Sequence, residues 1–140
     1  MSADFIDSNV FVYLFDSVNR SKQAQAKKIV KEGLEKGSGV ISYQVVQETL
    51  NVLTRKLKPP LPGVDAGRFL DTVLSPMWRV MPSAELFNQG LSLQSRFSLS
   101  FYDSMIVAAA QEAGCKRLIS EDMQHGLIID KLKVVNPFLV

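Results

Sequence analysis

Four carboxylates, Asp7, Glu48, Asp103 and Asp122, sit where an acid is locally awkward: beside a strand end, or on or next to an apolar helix face. Half-buried carboxylates lose hydration and repel one another, so a chain that gathers several needs a cation to neutralise them. Converging, the four make an all-oxygen site for a hard divalent ion such as Mg²⁺, and the chemistry that fits such a site is metal-dependent hydrolysis. The sequence contains no Ser-His-Asp signature, Gly-rich phosphate loop or CxxC pair, so nucleophilic, nucleotide and zinc chemistries have no foothold. His125, the single histidine, stands before Gly126 with no histidine or cysteine co-ligand and reads as a surface turn residue.

Each acid also has an ordinary explanation. Asp7 falls near the end of the first strand, where an aspartate often serves as a helix N-cap or Asx-turn. Asp103 is bracketed on its helix by Ile106, Val107 and Ala110, which puts an acid on an apolar face. Ser100-Phe-Tyr-Asp103 also fits a capping box, and both uses are compatible, since a helix N-terminus stabilises a carboxylate. Glu48 lies at the border of an apolar stripe, one turn from Val45 and from Val52, where a solvated edge residue is common. Asp122 follows Ser120 and Glu121 in what reads equally as a polar turn.

The elements that must position these groups alternate short apolar strands with longer helical stretches. DFIDSN (4–9) reads as a strand entering a turn, with VFVYLF (10–15) continuing as a helical turn. Ser21 caps a helix running to Gly37, GVIS (39–42) is a buried strand, and Ser42 caps a helix over 43–57. Val46, Leu50, Leu53 and Leu57 form its buried stripe, and the prolines of KPPLPG (58–63) end it. A helix over 67–74, a strand over 77–82, a helix over 84–97 capped by Ser83 and an alanine-rich helix over 101–114 follow. KRLIS (116–120) is a strand, EDMQHG (121–126) a turn or short helix, and KVVNP (133–137) the last strand. This order predicts one α/β domain over residues 1–140, a three-layer α/β/α sandwich with a mainly parallel central sheet. In such sheets ligands bind beyond the carboxyl ends of the strands, so Asp7 and Asp122 share a crevice if their strands are neighbours.

Composition sets outer bounds. At 140 residues, 46% hydrophobic and 21% charged, the chain has the make-up of an ordinary globular domain. The lone Cys115 forms no internal bridge and reads as a small buried hydrophobe in a reducing compartment. The N-terminal segment MSADFIDSN lacks the basic and apolar regions of a secretory signal, and runs such as MIVAAA (105–110) are too short to span a bilayer; a soluble cytoplasmic protein is expected. The net charge of +2 does not by itself call for nucleic acid. Clusters at Lys22, Lys27, Lys28 and Lys31, and at Arg55, Lys56 and Lys58, either track phosphates or form solvated helix faces.

Taken together, FIDSNVFVYLF around Asp7, VVQETLNVL around Glu48, FYDSMIVAAAQEAGC around Asp103 and LISEDMQHG around Asp122 resemble the four acidic motifs of the PIN domain, in order and over essentially the whole chain. The last two segments look especially like VapC-type toxins of bacterial toxin–antitoxin pairs. The resemblance implies a Mg²⁺- or Mn²⁺-dependent ribonuclease whose four acids surround the metal. Since Mg²⁺ accepts one or two carboxylates directly, Asp7 and Asp103 are the expected direct ligands, with Glu48 and Asp122 holding its waters or a second ion. Ser120 stands where the family has a small hydroxyl residue, and Asn9 matches a frequent polar residue after the first acid. An antitoxin partner, repression of the operator DNA through that antitoxin, and a homodimer are implied in the same way. Lys27, Lys28, Lys31, Arg55 and Lys56 are candidates for seating the RNA backbone. Two rivals, a phosphotransfer enzyme and a signalling domain, call for other marks. A haloacid-dehalogenase-like phosphotransferase wants an aspartate where Asn9 stands, and a receiver-like domain wants paired acids before its first helix. A non-catalytic RNA- or protein-binding module is the remaining alternative.

Overall fold

The computed structural model describes residues 2–139. Strand β1 (Asp4–Ile6) leads into α1 (Ser8–Tyr13) and α2 (Arg20–Glu35), and β2 (Gly39–Ser42) into α3 (Tyr43–Asn51), which runs on as a π-helical turn, Val52–Lys56. Helix α4 (Gly63–Phe69) has a similar π-helical extension, Leu70–Leu74, before α5 (Ser75–Met77) and β3 (Trp78–Val80). Helices α6 (Ala84–Phe97) and α7 (Phe101–Glu112), strand β4 (Arg117–Ile119) and a hairpin of β5 (Ile128–Ile129) and β6 (Leu132–Val135) complete the order.

The sheet order is β3-β2-β1-β4-β6-β5, parallel except for the β5–β6 pair. The chain therefore grows outward from β1 through β2 to β3, then returns across the sheet to β4. Right-handed crossovers put the two outward connections on one face and the return connection, α6–α7, on the other. The expected α/β architecture, a mainly parallel sheet flanked by helices, is the one observed. Residues 104–110 of α7 are buried all round, which marks it as the central helix of its layer, with α6 packed outside it. On the other face α2 and β2 meet almost backbone to backbone: a Cβ on Gly39 would lie 3.1 Å from Gly33 Cα and 2.6 Å from Met77 Sδ.

Several local expectations are corrected. Asn19, not Ser21, caps α2, accepting the Lys22 N–H at 3.1 Å, so the helix starts earlier. Ser42 occupies the N-cap position of α3 but makes no side-chain capping bond. The deepest line of that helix is Val45, Thr49 and Leu53, each fully buried, rather than the stripe through Val46 and Leu57. Pro62 stands at the N-cap of α4, so the helix expected from 67 begins at Gly63. Strand β5, two residues long, had no readable alternation, and the third and sixth strands are shorter than expected. Cys115 is free and buried, and the apolar MIVAAA run lies inside α7. Among the described residues no helix is long and apolar enough to cross a membrane.

Candidate active site

Strand β1 lies between β2 and β4, with Asp4, Phe5 and Ile6 in register with Arg117, Leu118 and Ile119. One step further, Asp7 and Ser120 face each other at the carboxyl ends of the two strands. This is the point where the strand order reverses, the place where open α/β sheets bind ligands. The Asp7 N–H donates to the Ile119 carbonyl at 2.9 Å, extending the ladder to the acid itself. Asp7 is also the N-cap of α1: its Oδ1 accepts the Ser8 N–H at 2.8 Å, while its Oδ2 accepts the Ser120 hydroxyl at 2.7 Å. Capping and site use therefore coexist in one carboxylate, only 4% exposed. Burial pushes its pKa up to about 6 against the two hydrogen bonds that lower it, and the charges of Glu48 and Asp122 push it further up.

Glu48 enters from α3. It is half-buried, and burial raises its pKa, as do the charges of Asp122 and Asp103; hydrogen bonds from Gln44 and Ser8 oppose the rise. The Ser8 hydroxyl donates to Glu48 Oε1 at 3.4 Å, joining the N-terminus of α1 to α3. Gln44, one turn before Glu48 and buried, donates to the Tyr102 carbonyl at 3.2 Å, which ties α3 to the start of α7. There Ser100 caps α7 by accepting the Asp103 N–H at 3.1 Å. The reciprocal half of a capping box, from the Asp103 carboxylate to the Ser100 N–H, is not made among the described residues, and the acid is half-buried at the first turn. Asp122 is exposed just past β4, its N–H donating to Ser120 Oγ at 3.3 Å. Thus Ser120 serves two acids, donating to Asp7 and accepting from the backbone of Asp122.

The four acids act on one another electrostatically, yet among the described residues no Lys, Arg or His pairs with any of them. Nor do three His, Cys, Asp or Glu side chains among the described residues stand close enough, as they lie, to hold a metal together. A Mg²⁺-type ion does not need that many, because it keeps several waters and takes one or two carboxylates directly. The donor set, all oxygen and short of positive charge, fits a hard cation. Asn9 is half-buried with both amide atoms lacking a hydrogen-bond partner among the described residues.

The basic clusters are less concerted than the sequence allowed. Lys27, Lys28, Lys31, Arg55 and Lys56 are exposed, and Lys31 stands 3.9 Å from Glu35. Lys22 pairs instead with Glu121 at 2.5 Å. His125 is the exposed turn residue expected, and its Nδ1 accepts the Asn136 N–H at 3.0 Å. Residues not anticipated at the site are Ser8 and Gln44. Of these only Gln44 had a local signal, its helical i,i+4 spacing to Glu48.

A family model described as the PIN domain matches residues 5–126. No curated protein sequence matches the chain. Among solved structures, a toxin–antitoxin complex from Klebsiella pneumoniae superposes with a TM-score of 0.65 at 23% identity, covering 99% of this chain and 100% of that one. The VapC20 toxin of Mycobacterium tuberculosis, which cleaves the sarcin–ricin loop, gives 0.61 at 21% identity over 86% of this chain and 92% of its own. FitAcB from Neisseria gonorrhoeae gives 0.63 at 17% identity over 98% and 99%. At these identities the likeness is one of fold.

Proposed function

Because the chain belongs to the PIN-domain family, we propose that it is a Mg²⁺- or Mn²⁺-dependent endoribonuclease, the toxin of a toxin–antitoxin pair, acting as one nuclease domain over residues 1–140 in the cytoplasm. The observation that carries this reading is the uncompensated negative charge at the switch point: a nearly fully buried Asp7, with Glu48 and Asp122 raising its pKa and no protein cation paired to it among the described residues. Asp7 and Asp103 hold the ion directly, and Glu48 and Asp122 orient the waters around it. Ser120 fixes one oxygen of Asp7, and Asn9 offers an amide to the same shell. When bound, the ion supplies Lewis acidity, making water more acidic and offsetting charge on the phosphate oxygens. The exposed cations of α2 and of the turn after α3 hold the RNA backbone by a salt-sensitive attraction that carries no sequence.

The solved toxin–antitoxin complex that this chain resembles in fold supports an antitoxin as its partner; the family resemblance alone suggests operator DNA reached through that partner and a toxin homodimer. Incubating purified protein with total RNA, with and without Mg²⁺, and mapping the cut ends tests the activity. Cleavage that EDTA abolishes and that Asp103→Ala removes without a change in circular dichroism is expected. RNA binding without cleavage, indifferent to EDTA and to Asp103→Ala, would instead establish a non-catalytic binding module.

A further inference from the structure

Beside the acidic site lies a closed triangle of side chains for which neither the strand-end geometry nor the four acids account. Glu121 receives the Tyr13 hydroxyl on Oε1 and the Lys22 ammonium on Oε2, the latter at 2.5 Å, and Lys22 also donates to Tyr13 Oη at 3.0 Å. The ammonium lies 4.8 Å from the centre of the Tyr13 ring, and the Phe138 ring packs edge-on to that ring at 4.8 Å. The Lys22 and Glu121 side chains are only 30% and 24% exposed. Such a pair is better held than a surface ion pair, because its partners are fixed from three sides.

The triangle joins the end of α1, the first turn of α2 and the segment after β4. That segment carries Asp122 between two anchors. Ser120 on one side is tied to Asp7 and accepts the Asp122 N–H; Glu121, its immediate neighbour, is held by Tyr13 and Lys22. Asp122 itself is exposed, and the hydrogen bond its backbone N–H makes among the described residues, at 3.3 Å, is long. Its placement thus depends on its neighbours more than on its own contacts.

We propose that Tyr13, Lys22 and Glu121 are positioning residues that set the place of Asp122 at the metal site, with Lys22 acting through Glu121 and not by touching RNA. This rests on the proposed function, since it assigns Asp122 to the metal shell. Residues that orient such a shell without joining it change metal affinity by about 10- to 100-fold when replaced; one step further removed, a loss of about 10-fold is expected here.

The test is Mn²⁺ binding, followed by electron paramagnetic resonance, in a double-mutant cycle of Lys22→Met with Asp122→Asn, repeated with Tyr13→Phe. Acting through Asp122, Lys22→Met weakens Mn²⁺ binding about 10-fold in the native background and changes it less than about twofold beside Asp122→Asn, because neighbours in one network are not additive. Lys22→Arg restores most of the loss, and at saturating Mg²⁺ the KM for RNA is unchanged in Lys22→Met and in Tyr13→Phe. The inference is overturned if Lys22→Met leaves Mn²⁺ binding at the native value, or weakens it by the same factor in both backgrounds. It is overturned equally if the variant raises KM and flattens the salt dependence of RNA binding, the marks of a phosphate contact. Native protein that neither binds Mn²⁺ nor cuts RNA removes the proposed function and this inference with it; native protein that does both, with Lys22→Met unaltered, removes the inference alone.

Discussion

Replacing Asp7 by asparagine in metal-free protein should stabilise the fold at alkaline pH. Burial, the largest cause, lifts the Asp7 pKa from its ordinary 3.8 to about 6. A folded-state pKa above the unfolded one means that the native state binds the proton more tightly. The resulting stability is fully present below about pH 4 and is lost as the pH rises through about 6. The size of that loss is about 3 kcal/mol at 1.36 kcal/mol per pH unit. Asparagine has no charge to bury at any pH. Its Oδ1 can keep the Ser8 N–H, and the Ser120 hydroxyl can turn to accept from Nδ2, but the Ser120 proton then loses its acceptor, a cost of about 1 kcal/mol. The net expectation at pH 8 is a gain of about 2 kcal/mol, or about 7 °C in melting temperature for a chain of this length. Thermal melts in EDTA at pH 4, 6 and 8 measure it. Near pH 4 the gain should vanish or change sign, since the native acid is then protonated. A variant no more stable than native protein at pH 8, or a difference that does not move with pH, would refute the assignment of Asp7 as a buried, uncompensated acid.

Two further outcomes follow from the same geometry. Ser120→Ala removes a hydroxyl donating to a buried carboxylate, worth about 1.5–3 kcal/mol; Asp7 then holds its proton to higher pH, and the acid limb of the cleavage profile moves up by about one pH unit or more, whereas Ser120→Thr leaves it in place and excess Mg²⁺ offsets the shift. Gly39→Ala forces a methyl against the Gly33 backbone and Met77 and should lower stability by about 1–3 kcal/mol in urea titrations, without altering the metal requirement of the active fraction.

What could be read from the sequence divides along physical lines. The acids were legible because each is locally out of place, and the strands because each is a short apolar run bounded by turn residues. That Asp7 and Asp122 lie at neighbouring strand ends was legible only as a condition, since it depends on β1 being the neighbour of β4, a pairing between segments more than 100 residues apart. Ser120 and Asn9 entered through resemblance; the hydrogen bond from Ser120 to Asp7 has no signature in spacing. The Lys22–Glu121 pair was hidden for the same reason, and Lys22 looked like one more cation on a solvated helix. Helix ends failed where two good caps competed, as at Asn19 and Ser21. The buried line of α3 failed by one residue because its fully buried Thr49 replaces an apolar marker in the pattern.

The placement of the acids ties the fold to its chemistry in a way that neither feature does alone. Asp7 sits at the end of β1, Glu48 on the helix that follows β2, Asp103 at the start of the helix that returns across the sheet, and Asp122 just past β4. These segments meet only when the parallel sheet has formed around β1, so the site cannot exist in a partly folded chain. A cation that binds only the completed site stabilises the native state by RT ln(1 + [M]/Kd), about 2.7 kcal/mol at a hundredfold excess over Kd. At neutral pH and above, ionised Asp7 places a penalty of about 3 kcal/mol on the metal-free fold, which metal at roughly that excess would offset. The two effects have opposite sign and act on the same carboxylate. Tight burial of Asp7 therefore weakens the empty protein, and under the proposed function the same charge is what a divalent ion would neutralise.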